Sequence, residues 1–250
     1  MTGRSMTVEP DGFPGVTLVG GGPGDRDLIT VAGLRAVLGA DVVVTDRLAP
    51  AGLLAELSPG VEVIDVAKVP RGRSTAQERI NELLVDRARA GRSVVRLKGG
   101  DGYVFGRGFE EVLALQDAGV PVRVIPGLSS SLAVPALAGI PVTHRGVVHD
   151  FTVVSGHLPP GHPDSLVDWA AVAALRGTLV LMMAVENGGA IADTLLAAGR
   201  PGSQPAAVVC DGSLPTERVV RTTLADLGRV IATERIRPPA VVVVGEVAAL

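Results

Sequence analysis

Short β-branched runs recur through the first half of the chain, and each is followed by a segment whose apolar residues repeat at helical spacing. "VTLVG" (16–20) precedes a helical stretch over 27–39, "DVVVTD" (41–46) one over 50–57, and "VEVIDV" (61–66) one over 75–90. The series continues with "SVVRLK" (93–98) before 108–118 and "VPVRVI" (120–125) before 128–138. The 75–90 stretch is the plainest. Ser74 or Thr75 can cap it, Gln77 or Glu78 follows at capping-box distance, and Ile80, Leu83 and Leu84 share one face. Such alternation predicts a mainly parallel sheet, because parallel neighbours need crossover connections and helices supply them.

After "GIPVTHRG" (139–146) the texture changes. "FTVVSG" (151–156), "TLVLMMA" (178–184), "PAAVVCDG" (205–212), "TERVVRTTL" (216–224) and "AVVVVGEV" (240–247) read as strands with fewer clear helices between them. Residues 206–211 and 217–223, joined by "GSLPT", suit an antiparallel hairpin, so this half predicts a mixed sheet. The fold class is α/β. Residues 1–15 read as a flexible leader, 16–127 as an N-terminal α/β domain and 128–250 as a C-terminal one, with the change of texture falling between 126 and 150.

Composition narrows the function. Apolar residues make up 47% of the 250, but they come in short runs rather than in the stretch of roughly 18 or more that a membrane helix needs. Cys210 is the one cysteine, so neither an intrachain disulfide nor a cysteine metal site can form, which suits a reducing cytoplasm. The formal charge is −3 and there are six aromatic residues, which leaves neither an overall basic field nor stacking platforms for nucleic acid. A polyanionic small molecule has to be met by a local cluster of Arg and Lys.

The motifs separate into chemistry and punctuation. "VTLVGGGPGD" invites a dinucleotide reading, but Asp25 stands where G-x-G-x-x-G needs its third glycine. "RLKGGD" (96–101) ends a strand, where ligands of open α/β sheets gather. There Gly99 and Gly100 open the main chain to a ligand, and Asp101 offers an anionic acceptor; a glycine turn with a capping Asp fits the same residues. Asp46 closes the second strand and is either a chemical group or the cap of the next helix. Lys68 follows the third strand, with Arg71 and Arg73 behind it, in what also reads as a solvated loop. His144, His149, His157 and His162 make no metal-binding pair, and Ser129–Ser131 lack a nucleophile-elbow frame.

Taken in order, "LVGGGPGD", "DRL", "RLKGGD", "VFGRG", "PGLSSS", "GIPVTHRG", "PAAVV" and "VVVVGEV" resemble the tetrapyrrole methylase family over roughly residues 16–250, and within it the members that methylate uroporphyrinogen III. The resemblance implies two α/β domains with S-adenosylmethionine in the cleft between them, and a homodimer. It also implies two methyl transfers, to C2 and C7, through precorrin-1 to precorrin-2, toward cobalamin or sirohaem, with S-adenosylhomocysteine as the spent donor. By motif position it places cofactor contacts at Pro23, Gly99, Gly100, Asp101, Val104, Ser129, Ser130, Met183 and Gly212, and acid/base groups at Asp46 and Lys68. No metal is needed, since a sulfonium methyl requires only an electron-rich carbon held in line behind it. Arg96, Lys98, Arg107 and Arg145 are candidates to receive the substrate's eight carboxylates. The rival readings are a sibling methylase of a later precorrin and a non-catalytic tetrapyrrole-binding module.

Overall fold

The computed structural model describes residues 11–66 and 77–250, which fall into two units dividing between Ser129 and Ser130. Ser74 and Thr75, and residues 1–10 of the expected leader, lie outside the described residues. Residues 11–15 are tied to the first unit, with Asp11 accepting from Arg123 at 2.8 Å and its amide donating to the Arg35 carbonyl.

The first unit is built as the alternation predicts. Its five strands are β1 (Val16–Gly20), β2 (Val42–Thr45), β3 (Glu62–Asp65), β4 (Val94–Lys98) and β5 (Val122–Ile125), all parallel in the order β3-β2-β4-β1-β5. Between them run α1 (Val31–Leu38), α2 (Ala51–Leu54), α3 (Gln77–Arg89) and α4 (Gly108–Asp117). The three central strands β1, β2 and β4 are buried along their whole length, as continuous apolar runs covered on both faces require, while the edge strands β3 and β5 are half-exposed. Val19, Val43, Val95 and Leu97 pack on α1 and α2; Val16, Leu18, Val42, Val44 and Val94 pack on α3 and α4. The chain leaves β1 over one face toward β2 and leaves β4 over the other toward β5. The crossovers therefore diverge between β1 and β4, where open α/β sheets form their ligand crevice.

The second unit carries a five-stranded mixed sheet. Its strands are β6 (Phe151–Ser155), β7 (Thr178–Met182), β8 (Pro205–Cys210), β9 (Arg218–Thr223) and β10 (Ala240–Val244), in the order β6-β7-β10-β8-β9. The hairpin read from "GSLPT" is present, with Cys210 opposite Arg218 and Pro205 opposite Thr223. Because β10 is antiparallel to both β7 and β8, the carboxyl ends of β6, β7 and β8 lie along one edge. One face of the sheet is covered by α5 (Ser130–Leu137) through Val134 and by the C-terminal Val247 and Ala248. The other is covered by α6 (Trp169–Ala174), α7 (Gly188–Ala197) and α8 (Leu227–Thr233). Sequence periodicity does not reveal these last three helices. Each is short, and α7 opens on two glycines without a side-chain cap, so burial rather than propensity holds it. Of the three only α6 has a side-chain cap bond, the Asp168 carboxylate accepting from the Ala171 amide at 2.9 Å; Asn187 and Asp226 stand at the starts of α7 and α8 without one.

Candidate active site

In the first unit the loops leaving β1, β4 and β5 lock together through main chain. The Gly21 amide donates to the Lys98 carbonyl at 2.7 Å, and Gly22 and Gly100 exchange hydrogen bonds at 3.1 and 2.6 Å. A Cβ on Gly127 would sit 2.3 Å from the Gly100 carbonyl oxygen, and one on Gly99 2.5 Å from that of Leu48. Part of the glycine content read as an opening for a ligand therefore serves to pack one loop on the next. Asp101 is the latch of this arrangement. Its Oδ1 accepts from the Tyr103 amide at 2.8 Å and its Oδ2 from the Gly127 amide at 3.0 Å, so one carboxylate ties the turn after β4 to the loop after β5. Pro23 follows the Gly22–Gly100 bridge, and Val104 stands exposed just beyond the latch.

Asp46 lies at the end of β2. Its Oδ1 accepts from the Leu48 amide at 3.1 Å, a local turn that excludes the simple reading as cap of α2, which starts after Pro50. Its Oδ2 lies 3.4 Å from Nη2 of Arg96. Lys68, with Arg71 and Arg73, lies outside the described residues.

The four candidate cations separate sharply. Arg96 and Lys98 are 3% and 5% exposed, on the face of β4 covered by α4, and both are held by the fully buried Glu111. They are therefore spent inside the unit rather than offered to a substrate. Burial, and next the neighbouring Arg96 charge, push the Lys98 ammonium below its usual range, with Glu111 and Asp46 opposing. Arg107 is exposed and paired with Glu110 at 2.6 Å, which raises the guanidinium and lowers the carboxyl. Arg145 is exposed on the 139–150 segment of the second unit.

In the second unit the predicted positions come to one edge. Met183 directly follows β7 at φ +55° and is half-exposed; Gly212 follows β8 between Asp211 (φ +49°) and Ser213 (φ +74°). A Cβ on Gly212 would lie 2.5 Å from Val134 Cγ1, so this turn seats directly on α5, and Ser130 stands one helical turn before Val134. Six non-glycine residues among those described have left-handed backbone. Five of them, Phe105, Arg107, Met183, Asp211 and Ser213, sit just past the carboxyl ends of β4, β7 and β8. Strain of this kind persists where surrounding structure over-determines a functional loop. Sequence reasoning missed Asn187, whose Nδ2 donates to the Gly156 and His157 carbonyls at 2.8 and 3.1 Å and fixes the loop after β6. It also missed Glu111, for which two buried-side cations on one central strand were the available signal.

Strained turns gathered at strand ends, in a parallel sheet followed by a mixed one, are an architecture with known counterparts. The family model for tetrapyrrole (corrin/porphyrin) methylases matches residues 15–228. The chain belongs to the tetrapyrrole methylase family. A uroporphyrinogen-III C-methyltransferase of Methanocaldococcus jannaschii is 45% identical over 93% of this methylase and 96% of its own length. Among solved structures, a uroporphyrin-III C-methyltransferase of Thermus thermophilus complexed with S-adenyl homocysteine is 43% identical, with a TM-score of 0.78 over 94% of this chain and 98% of that one. A cobalt precorrin-4 methyltransferase reaches a TM-score of 0.83 at 29% identity, over 93% of this methylase and 95% of that chain.

Proposed function

We propose that the chain is an S-adenosylmethionine-dependent methyltransferase that adds two methyl groups, at C2 and C7, to uroporphyrinogen III and delivers precorrin-2. The observation that carries this reading is the end-to-end likeness to the Thermus enzyme that was complexed with S-adenyl homocysteine. The residues present suit such a donor. A sulfonium-bearing amino acid joined to a nucleoside needs main-chain donors and acceptors, a hydroxyl and a soft apolar contact; Val104 and Met183 are exposed, Ser130 carries a hydroxyl, and Gly212 sits between two residues of left-handed backbone. When bound, the donor supplies an electrophilic methyl group.

The chain's own residues do the rest. Gly99, Gly100 and Asp101 shape the loop against which the donor rests; Pro23, Val104, Ser129, Ser130, Met183 and Gly212 complete its holding set. Alignment of the two reactants can contribute about 7 to 11 kcal/mol of barrier reduction. Asp46 takes the proton that the methylated macrocycle sheds, from a ring nitrogen or an adjoining bridge carbon because the methylated carbon is now quaternary, with Lys68 assisting as acid or charge partner. Arg107 and Arg145, both exposed, receive substrate carboxylates, and the working form is a homodimer.

Incubation with uroporphyrinogen III and isotopically labelled donor tests the reading: two labelled methyls per ring are expected. Methylation of a later precorrin alone makes this a sibling methylase, and binding without transfer makes it a tetrapyrrole carrier; either result overturns the proposal.

A further inference from the structure

Among the described residues of the first unit Glu111 is the most deeply buried charge, and the reaction as written does not use it. It lies in the first turn of α4, where the helix end favours an anion, with no exposed surface. Its Oε1 receives Arg96 Nε at 3.1 Å, Lys98 Nζ at 3.3 Å and Gln77 Nε2 at 3.3 Å, while Oε2 is buried without a partner among the described residues. Two buried cations against one anion leave an excess positive charge, and a buried excess of that kind is costly. Among the described residues a second carboxylate, Asp46, also pairs with Arg96.

Arg96 connects the two carboxylates. Its Nε is taken by Glu111, its Nη1 donates to the Val44 and Leu97 carbonyls at 3.3 and 3.1 Å, and its Nη2 is left directed at Asp46 Oδ2, 3.4 Å away. Because a guanidinium is rigid and planar, fixing two of its nitrogens dictates where the third points. The Leu48 amide holds the other Asp46 oxygen. The carboxylate's direction at the end of β2 is thus set by one main-chain group and one arginine, and the arginine is set by Glu111.

We propose that Glu111, together with Lys98, is a positioning device for the reaction: it holds Arg96 so that Arg96 orients Asp46. This rests on the reading of Asp46 as the base. The test is a double-mutant cycle on the full chain with Glu111→Gln and Asp46→Asn, measuring kcat, both KM values and S-adenosylhomocysteine affinity. Glu111→Gln is expected to lower kcat about ten- to a hundredfold, the scale of a displaced catalytic group. Both KM values and the S-adenosylhomocysteine affinity are expected to stay within about twofold. In the Asp46→Asn background the same substitution is expected to change kcat no further, since its route to the chemistry is already cut.

Equal losses in the two backgrounds, or an undiminished kcat in Glu111→Gln, overturn the proposal and make Glu111 purely structural. An undiminished kcat in Asp46→Asn instead removes the base itself, and this inference with it. Should Glu111→Gln fail to fold, Arg96→Lys carries the same test. It keeps a cation for Glu111 but loses the fork that reaches Asp46, so the same non-additive loss is expected, and an additive one counts against the proposal.

Discussion

At the scale of the residue, Asp101 shows how a motif read as chemistry works first as architecture. The sequence reading offers its carboxylate to a ligand, and the structure spends both oxygens on the amides of Tyr103 and Gly127. Asp101→Asn separates these roles. An amide is isosteric, but whichever way it flips its NH₂ faces one of the two N–H donors, so one of the bonds is lost. Loss of a charge-assisted bond costs about 1 to 3 kcal/mol, so S-adenosylhomocysteine binding measured by calorimetry is expected to weaken about tenfold or more. An unchanged dissociation constant would mean the turn is held by its glycines alone. The same scale corrects the cations. Arg96 and Lys98 stand in the "RLKGGD" motif beside the glycines, yet both side chains lie beneath α4. Spacing along β4 does place residues 94, 96 and 98 on one face, but which face a helix will cover is not written in that spacing.

Among the elements, β3 and α3 are joined at the sheet's edge by a bidentate pair, Glu62 with Arg87 at 2.8 to 3.2 Å. Arg87 holds the Glu62 carboxyl below the usual carboxylate range, the hydrogen bond being the largest cause. A lowered carboxyl contributes stability that is present above its unfolded-state value and is lost as pH falls through its folded one. Arg87→Met is therefore expected to lower the urea midpoint slightly at neutral pH, and the gap from the parent chain is expected to close in acid. A gap that persists in strong acid would assign the loss to the packing of the arginine stem instead. The elements were mostly readable beforehand because the first unit's strands are continuous β-branched runs and its helices are amphipathic, both local signals. The second unit's α6, α7 and α8 escaped because their apolar residues match a sheet face that exists only once β7, β10 and β8 have paired.

For the whole molecule, each unit has its own two-sided core, and Trp169, the chain's one tryptophan, is buried in that of the second. Its emission consequently reports that unit's unfolding. A ligand that binds the folded state at a hundred times its dissociation constant stabilises it by about 2.7 kcal/mol. Since Met183, Gly212 and Ser130 are proposed to contact the donor, saturating S-adenosylhomocysteine is expected to raise the melting temperature read from Trp169 by several degrees. No shift in that signal would take the second unit's turns out of the binding set.

The amino-acid sequence alone determined the alternating strands and helices of the first unit, the hairpin of the second and the family resemblance, because period, turn residues and motif order are properties of neighbours along the chain. Tertiary structure alone decided that Asp101 is a latch, that the glycines seat loop upon loop, and that Arg96 and Lys98 answer to Glu111 rather than to solvent. Each of these depends on which groups meet across the sheet, and the cost of burying charge or adding a Cβ exists only after that meeting has excluded water.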